Sequence, residues 1–168
     1  MRDLALHVTR AVDDADAAAL AAIDAASFPH PTLDLAGELA RSFARLWLAR
    51  EGADDGPIVG FLLAWLVADE VHVLTVATAP DHRRRGVARA LLDHLLVEAR
   101  ARRTTLLLLE LRESNAAARA LYEGFGFTAF SVRKGYYAEE GEDATEMRLA
   151  LDAETGEIVP DPSAATER

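Results

Sequence analysis

The distribution of apolar and polar positions predicts a chain of short strands and helices. Helical spacing of apolar residues indicates one helix through Leu20 and Ile23 and a longer one that begins at Val87. Apolar runs predict strands at residues 6–11, 46–49, 58–67, 71–77, 105–111, 127–133 and 147–151. Three consecutive strands before Val87 predict an antiparallel meander, and the strand after the long helix is expected to be parallel to the one before it.

Capping residues and prolines place the ends of the first two helices. Asp13 or Asp14 is suited to cap the first helix, because its side chain accepts hydrogen bonds from free backbone N–H groups. Pro29 and Pro31 then break the chain, since proline does not fit inside a continuous helix. Thr32 is predicted to cap a second helix, with an apolar face formed by Leu35, Leu39 and Phe43.

The second half of the chain carries a short capped helix, a loop and a polar end. Asn115 is predicted to cap a helix over residues 116–122 that ends at Gly124. Gly135 begins a predicted loop between the last two strands. Residues 152–168 are polar, contain prolines and show no period, so we expect a mobile tail behind a single domain at residues 1–151.

The segment between residues 71 and 96 has an order that is typical of an anion site. An apolar strand ends before a turn that contains Arg83, Arg84, Arg85 and Gly86, and the long helix begins directly after it at Val87. The first N–H groups of a helix have no intrahelical acceptors, and the helix dipole adds partial positive charge there. Because glycine lets a ligand come close to the backbone, the turn is predicted to bind a pyrophosphate.

Composition excludes several kinds of chemistry. The chain has 168 residues, of which 51% are hydrophobic, and no cysteine. Disulfides, an acyl-cysteine intermediate and cysteine-based zinc sites are therefore impossible. The five histidines show no spacing typical of metal ligands, and we expect no metal. No signal peptide or membrane span is indicated, and we expect a cytoplasmic protein without a membrane partner.

The net charge of −10 bears on possible partners. It argues against nucleic-acid binding, which needs a basic face to neutralise phosphates. An acidic surface would attract a cationic peptide or polyamine, although net charge also serves solubility alone.

Two polar side chains in the second half of the chain could carry chemistry. Glu110 interrupts a leucine strand and would be either a general base or the partner of Arg112 in an ion pair. Tyr122 would be either an aromatic core residue with its hydroxyl at the rim or a proton donor to a leaving group. Asn115 would be a helix cap or a ligand contact.

These motifs resemble a known family. The pattern Arg83-x-x-Gly86-x-Ala88 is similar to the acetyl-coenzyme A signature of the GNAT acetyltransferases, and residues 109–123 resemble a block of the RimI branch of that superfamily. The branch contains bacterial enzymes that acetylate the N-terminal alanine of ribosomal small-subunit protein 18. The resemblance implies the GNAT α/β fold, in which a mixed, mostly antiparallel sheet with two splayed central parallel strands is flanked by helices.

The resemblance also implies roles for individual residues. Glu110 would be the general base and Tyr122 the general acid. Acetyl-coenzyme A would contact Val76, Ala77, Thr78, Arg84, Arg85, Gly86, Val87, Ala88, Arg89 and Asn115.

A further resemblance concerns the substrate side of the site. Tyr136 and Tyr137, followed by Glu142-Asp143-Ala144 and Met147, are similar to a pattern of N-terminal acetyltransferases in which a tyrosine loop walls the peptide groove. The same tyrosines could instead cover the sheet edge. Phe28 and His30 lie in a loop that borders the substrate in relatives, and the histidine-containing sequence here leaves the peptide specificity open.

The reaction implied is the direct transfer of an acetyl group from acetyl-coenzyme A to a protein N-terminal α-amine, without a covalent enzyme intermediate. The implied substrate is ribosomal small-subunit protein 18, and the chain is expected to be a monomer or a weak homodimer. Alternatives are acetylation of a protein lysine or of a small-molecule amine, and a coenzyme A binding module without catalysis.

Overall fold

The computed structural model describes residues 5–10, 14–30, 33–138 and 141–160. The strands are β1 (Leu6–Thr9), β2 (Ala44–Glu51), β3 (Ile58–Val67), β4 (Glu70–Thr78), β5 (Leu106–Arg112), β6 (Thr128–Tyr137), β7 (Glu142–Leu151) and β8 (Ile158–Val159). The helices are α1 (Asp14–Ser27), α2 (Leu35–Ala40), α3 (Val87–Ala101) and α4 (Ala116–Gly124), and a short 3₁₀ turn (Pro80–His82) precedes α3.

The strands form a mixed, mostly antiparallel sheet flanked by helices, as the family resemblance implies. The parallel pair is β4 and β5, and its ladder joins Glu70–Val73 to Leu106–Leu109. The last pair of this ladder is Val73 with Leu109, and beyond it β4 continues to Thr78 and β5 continues to Arg112. The prediction of a parallel strand after the long helix is confirmed.

The contacts within the chain divide it into two compact units. The first contains residues 1–66 and 74–98, with strands in the order β1-β2-β3-β4. Its core combines apolar side chains of α1 with those of the sheet, namely Leu20, Ile23, Leu46, Leu48, Phe61, Leu63 and Ala77. A buried ion pair joins Arg50 of β2 to Asp16 of α1 at 2.7 Å. Arg50 also donates to the carbonyl of Gly56 at 3.0 Å, so its buried charge is well satisfied.

A glycine in β3 sets the position of α3 within the first unit. A Cβ atom at Gly60 would lie 2.5 Å from Cγ1 of Val87 and 2.7 Å from the carbonyl oxygen of Ala77. Both distances are far below van der Waals contact, so only glycine leaves room for Val87 at this point. Val87, the first residue of α3, is fully buried as a result.

The second unit contains residues 67–73 and 99–168, with strands in the order β4-β5-β7-β6 and β8 beside β7. Its core comes from one face of β5 and β7 and from the end of α4, and it contains Leu107, Leu109, Leu111, Tyr122, Phe125, Phe127, Met147 and Leu149. Alternation along β5 leaves Leu106, Leu108, Glu110 and Arg112 half-buried on the opposite face. The candidate base Glu110 therefore lies outside this core.

The second helix differs from its prediction. α2 is capped by Asp34, whose carboxylate accepts the N–H of Gly37 at 3.1 Å, whereas the predicted caps Asp13 and Thr32 lie outside the described residues. The helix ends at Ala40 because Arg41 is extended, and Leu39 is 54% exposed. Phe43 packs edge-on against Trp65 instead of continuing a helical face. Leu35 does pack against the core of the first unit, so the predicted apolar face was wrong only at Leu39 and Phe43.

Two segments predicted to lack regular structure contain strand residues. Gly135, Tyr136 and Tyr137 belong to the end of β6, where the carboxylate of Asp143 accepts the N–H of Gly135 at 2.8 Å. The described part of the expected tail, residues 152–160, contains β8. The carboxylate of Asp152 accepts the N–H groups of Glu154 and Thr155 and closes the turn that brings β8 back to β7. Such local side-chain bonds leave no periodic trace in a sequence.

Among the described residues, no helix combines the length and the apolar composition that crossing a membrane requires.

We predict that Gly60→Ala lowers the free energy of unfolding by about 1 to 3 kcal/mol, because the new methyl group overlaps Val87 and a backbone carbonyl. Urea unfolding followed by circular dichroism measures this change. Gly124→Ala is the control, since a Cβ atom there meets nothing within 4 Å, and its effect should stay below about 1 kcal/mol. Equal losses in the two variants would contradict the packing role of Gly60.

Candidate active site

The turn before α3 leaves backbone N–H groups free at the helix start. The first α3 bond that reaches back to this turn joins the N–H of Ala90 to the carbonyl of Gly86 at 2.9 Å. The N–H groups of Val87 and Ala88 precede this bond and have no acceptor within the helix. Gly86 has a φ of 85°, and the space beside its Cα is open to at least 4 Å. An anionic group can therefore approach these N–H groups closely.

Arginine side chains surround the same helix end. Arg84 and Arg85 are exposed, and Arg84 has the positive φ of 59° that non-glycine residues seldom adopt. Arg85 lies 3.7 Å from the carboxylate of Glu51, at the end of β2, and His82 lies 3.1 Å from the same carboxylate. Together with the helix dipole, these guanidinium groups give the turn the positive charge that a diphosphate needs.

The remaining residues predicted in the first unit lie on β4 and after α1. Ala77 is buried in the core, while Val76 and Thr78 are half-buried. Phe28 packs against the core cluster of this unit, and His30 is exposed. Phe28 is only half-buried by this packing, so it could still contact a ligand.

Glu110 is held by two groups of β6. One of its carboxylate oxygens lies 2.5 Å from Nη1 of Arg133, and the side chain remains 30% exposed. Tyr136 also donates a hydrogen bond to Glu110, and this bond raises the pKa of the Tyr136 phenol. The guanidinium of Arg133 lies 4.3 Å from the centre of the Tyr136 ring. Glu110, Arg133 and Tyr136 therefore form a closed three-membered network.

The partner proposed for Glu110 in the ion-pair alternative makes other contacts. Arg112 lies 3.5 Å from the carboxylate of Glu142 and stacks over the ring of Tyr137 at 3.9 Å. Residues two positions apart on a strand are separated by roughly 7 Å along the backbone, so Arg112 is not an immediate neighbour of Glu110. Glu110 instead pairs with the long side chain of Arg133 on β6, although β7 lies between the two strands.

A second carboxylate lies opposite Glu110. Glu146 of β7 is its cross-strand partner, and both side chains are half-buried on the same face. Like charges in directly opposed positions repel each other. The negative charge of Glu146 also raises the pKa values of Arg133 and Tyr136, although it is a minor cause in both.

Tyr122 and Asn115 have clear structural contacts. Tyr122 is buried in α4 and packs edge-on against Phe127, with 5.7 Å between ring centres, and burial raises the pKa of its phenol to about 12. Asn115 caps α4 by accepting the N–H of Ala118 at 3.1 Å, as predicted. The amide nitrogen of Asn115 is not engaged by this capping bond, so a ligand contact is compatible with the cap.

The sequence matches the model of the Acetyltransferase (GNAT) family over residues 15–127, which include nearly all of α1 and the whole of α3, β5 and α4. The chain belongs to the GNAT acetyltransferase family. The matched range contains both the α3 turn and Glu110, and the fold predicted from the resemblance is confirmed.

Several relatives share one named activity. The [ribosomal protein bS18]-alanine N-acetyltransferase of Escherichia coli K12 is 41% identical over 99 residues, which cover 58% of this chain and 67% of that protein. The enzyme of the same name from Haemophilus influenzae is 33% identical over 101 residues, or 60% of this chain and 68% of that protein. The crystal structure of the E. coli enzyme has a TM-score of 0.77 at 30% identity and covers 88% of this chain and 95% of its own.

Sequence reasoning missed three residues of this GNAT chain that shape the candidate site. Arg133 and Glu146 lie on strands that were predicted, but nothing in the sequence indicated which positions of β5, β6 and β7 face each other. Gly60 was read only as part of an apolar strand, although a glycine inside a strand often marks a close backbone approach. Within the described ranges, no three His, Asp or Glu side chains are grouped as a metal ion would require.

We predict that Glu110→Gln lowers the pKa of Tyr136 toward the ordinary value of about 10, because the carboxylate that favours the neutral phenol is lost. The phenolate absorbance of the Tyr137→Phe variant, with and without Glu110→Gln, measures this shift, and Tyr122 titrates separately at higher pH. Glu154→Gln, at an exposed turn, is the control.

The sign of the linked stability follows from the direction of the shift. A phenol with a raised folded-state pKa stabilises the fold at pH values below its ordinary pKa, and this contribution is lost as the pH rises through the raised value. An unchanged titration of Tyr136 in Glu110→Gln would contradict the hydrogen bond between the two residues.

Proposed function

We propose that this chain transfers the acetyl group of acetyl-coenzyme A to the N-terminal α-amine of a protein, with the N-terminal alanine of ribosomal protein S18 as the substrate. The observation that carries the proposal is the 41% identity over 99 residues to an enzyme named for this activity, and the family match over residues 15–127 includes the α3 turn and Glu110. The likeness in fold to the E. coli enzyme supports it.

The residues at the start of α3 fit the pyrophosphate of coenzyme A. The N–H groups of Val87 and Ala88 at the helix start, the open side of Gly86 and the exposed guanidinium groups nearby match a negatively charged diphosphate, and Arg89 is proposed as a further contact. The backbone of Val76, Ala77 and Thr78 would hold the pantetheine and acetyl part, and Asn115 would add a side-chain contact. An N–H of this strand would polarise the thioester carbonyl as it becomes an oxyanion.

Glu110 is proposed as the general base. The α-ammonium group has an ordinary pKa of about 7.7 to 8.0, so a carboxylate acting directly or through water suffices to take its proton at neutral pH. The amine nitrogen then attacks the thioester carbon, a C–N bond forms, and the C–S bond breaks with its electron pair leaving on sulfur. The attacking nitrogen loses its second proton as the amide forms, and that proton balances the one that the thiolate takes up. No acyl-enzyme is formed, in accord with a chain that has no cysteine.

Tyr122 is proposed as the group that meets the leaving thiolate. Burial raises the pKa of this phenol to about 12, so the proton stays on Tyr122 until a negative charge develops beside it. A thiol has an ordinary pKa of about 8.5, which makes the phenol a weak acid toward the thiolate. Tyr122 therefore acts mainly by donating a hydrogen bond as charge develops on sulfur, and the thiolate is protonated as coenzyme A leaves.

The peptide side of the site is proposed to include Tyr136 and Tyr137, whose rings pack edge-on at 5.2 Å, together with Phe28 and His30. Aromatic rings bury much apolar area and still offer a hydroxyl group, which suits a short extended peptide. The net charge of −10 favours a substrate with a cationic N-terminus. We further propose that the protein acts in the cytoplasm, without a metal, as a monomer or a weak homodimer.

The proposal is tested with three peptides and acetyl-coenzyme A, following coenzyme A release. The first peptide copies the N-terminus of ribosomal protein S18, the second is the same peptide with a blocked α-amine, and the third has a blocked α-amine and an internal lysine. We expect turnover with the first peptide only. Turnover with the third would favour lysine acetylation, and coenzyme A binding without any turnover would favour a binding module.

We predict that Glu110→Gln lowers kcat/KM by about 100- to 10,000-fold while the affinity for coenzyme A stays unchanged, because only the proton acceptor is lost. Tyr122→Phe should lower kcat and leave the fold intact, since the ring that packs on Phe127 is kept. Steady-state kinetics and equilibrium binding of coenzyme A separate the two effects. Full activity in Glu110→Gln would remove Glu110 from the proposed chemistry.

A further inference from the structure

We infer that Arg133 is a positioning residue for the reaction: it holds the Glu110 carboxylate in the orientation that receives the proton of the substrate's amine. The inference rests on the proposed function of Glu110. Arg133 is 48% exposed and lies on β6, whereas Glu110 lies on β5, so the contact joins strands that β7 separates in the sheet.

Two contacts fix the guanidinium group and define the geometry. Nη1 lies 2.5 Å from one oxygen of Glu110, and the guanidinium carbon lies 4.3 Å above the ring of Tyr136. Tyr136 closes the triangle by donating its hydroxyl hydrogen to the same carboxylate. A carboxylate accepts about four hydrogen bonds, so these two donors leave sites for an amine or a water molecule.

An irregular segment of β6 makes both contacts possible. Arg133 and Tyr136 are three residues apart, and a regular strand would place them on opposite faces. The pairing of β6 with β7 is irregular between Arg133 and Tyr137, and Gly135 has a φ of 62°. This irregularity turns both side chains toward Glu110, and such bulges often redirect side chains beside active sites.

Repulsion between the carboxylates of Glu110 and Glu146 is the reason why Glu110 needs a neighbouring cation to stay in place. The two carboxylates are cross-strand partners, and their repulsion would turn the freer side chain away from the shared face. Arg133 offsets this repulsion, because it binds Glu110 directly and is also attracted by Glu146. Removal of Arg133 should therefore displace Glu110, and removal of Glu146 as well should allow it to return.

Steady-state kinetics of four variants with the S18 peptide test the inference. For Arg133→Gln we expect kcat to fall by about 10- to 100-fold with KM nearly unchanged, because misplacement of a reacting group slows chemistry more than binding. Arg133→Lys should recover part of the loss, and so should Arg133→Gln combined with Glu146→Gln. Lys134→Gln is the matched control, since Lys134 is the next residue, is 81% exposed and pairs with Asp143 instead.

Three results would overturn the inference. Unchanged kcat in Arg133→Gln would show that Glu110 does not need the guanidinium. A raised KM with unchanged kcat would mean that Arg133 contacts the substrate. Equal kcat in Arg133→Gln and in the double variant would remove the repulsion from Glu146 as the cause.

A second measurement does not depend on turnover. If Glu110 turns away in Arg133→Gln, Tyr136 loses the hydrogen bond that is the main cause of its raised pKa, and that pKa should fall. If Glu110 stays in place, loss of the cation alone should raise the pKa of Tyr136 further, which would contradict the inference. The titration uses the Tyr137→Phe background. Inactivity of the unsubstituted chain toward every peptide would instead refute the proposed function and leave this titration valid.

Discussion

A helix that begins at an open turn leaves backbone N–H groups without acceptors, and α3 begins in this way at Val87. Two features of the first unit hold the start of α3 in place. Val87 is buried against β3 because Gly60 has no side chain, and the turn before it uses positive φ values at Arg84 and Gly86. The direction of the N–H groups is thus fixed by packing within the first unit, so the proposed anion site needs no rearrangement of the helix start.

In the second unit, the carboxylate of Glu110 lies on a half-buried sheet face directly opposite the carboxylate of Glu146. Glu110 is surrounded by donors from β6, and their approach depends on the irregular pairing around Gly135. In the proposed reaction the first unit supplies most contacts to the cosubstrate, and the second supplies Asn115, Tyr122 and the proton acceptor Glu110. The role of Glu110 is explained by contacts within the second unit and is tested by variants of that unit.

Local signals in the sequence were sufficient for much of the fold. β3 was predicted at its observed bounds, α3 at its first residue, and α4 at its cap Asn115, because apolar periodicity and capping chemistry act over short distances. α2 was misread because its observed cap, Asp34, follows the predicted one by two residues. β8 was missed because a single aspartate organises its turn.

The candidate site likewise combines residues that are close in the sequence with residues that only strand register brings together. The turn before α3 is a continuous motif, so its residues could be proposed from the sequence alone. The network around Glu110 joins residues 23 positions apart on β5 and β6, and only strand register decides which of several charged residues meet. A family resemblance identified Glu110 but said nothing of Arg133 or Glu146, which emerge from the register of β5, β6 and β7.

The most direct test of the proposed reaction is mass-spectrometric location of the acetyl group on intact ribosomal protein S18 after incubation with this chain and acetyl-coenzyme A. We predict a single acetyl group on the α-nitrogen of the N-terminal alanine, and none after incubation with the Glu110→Gln variant. Acetyl groups on lysine side chains, or an S18 protein that stays unmodified while the chain binds acetyl-coenzyme A, would contradict the proposed reaction.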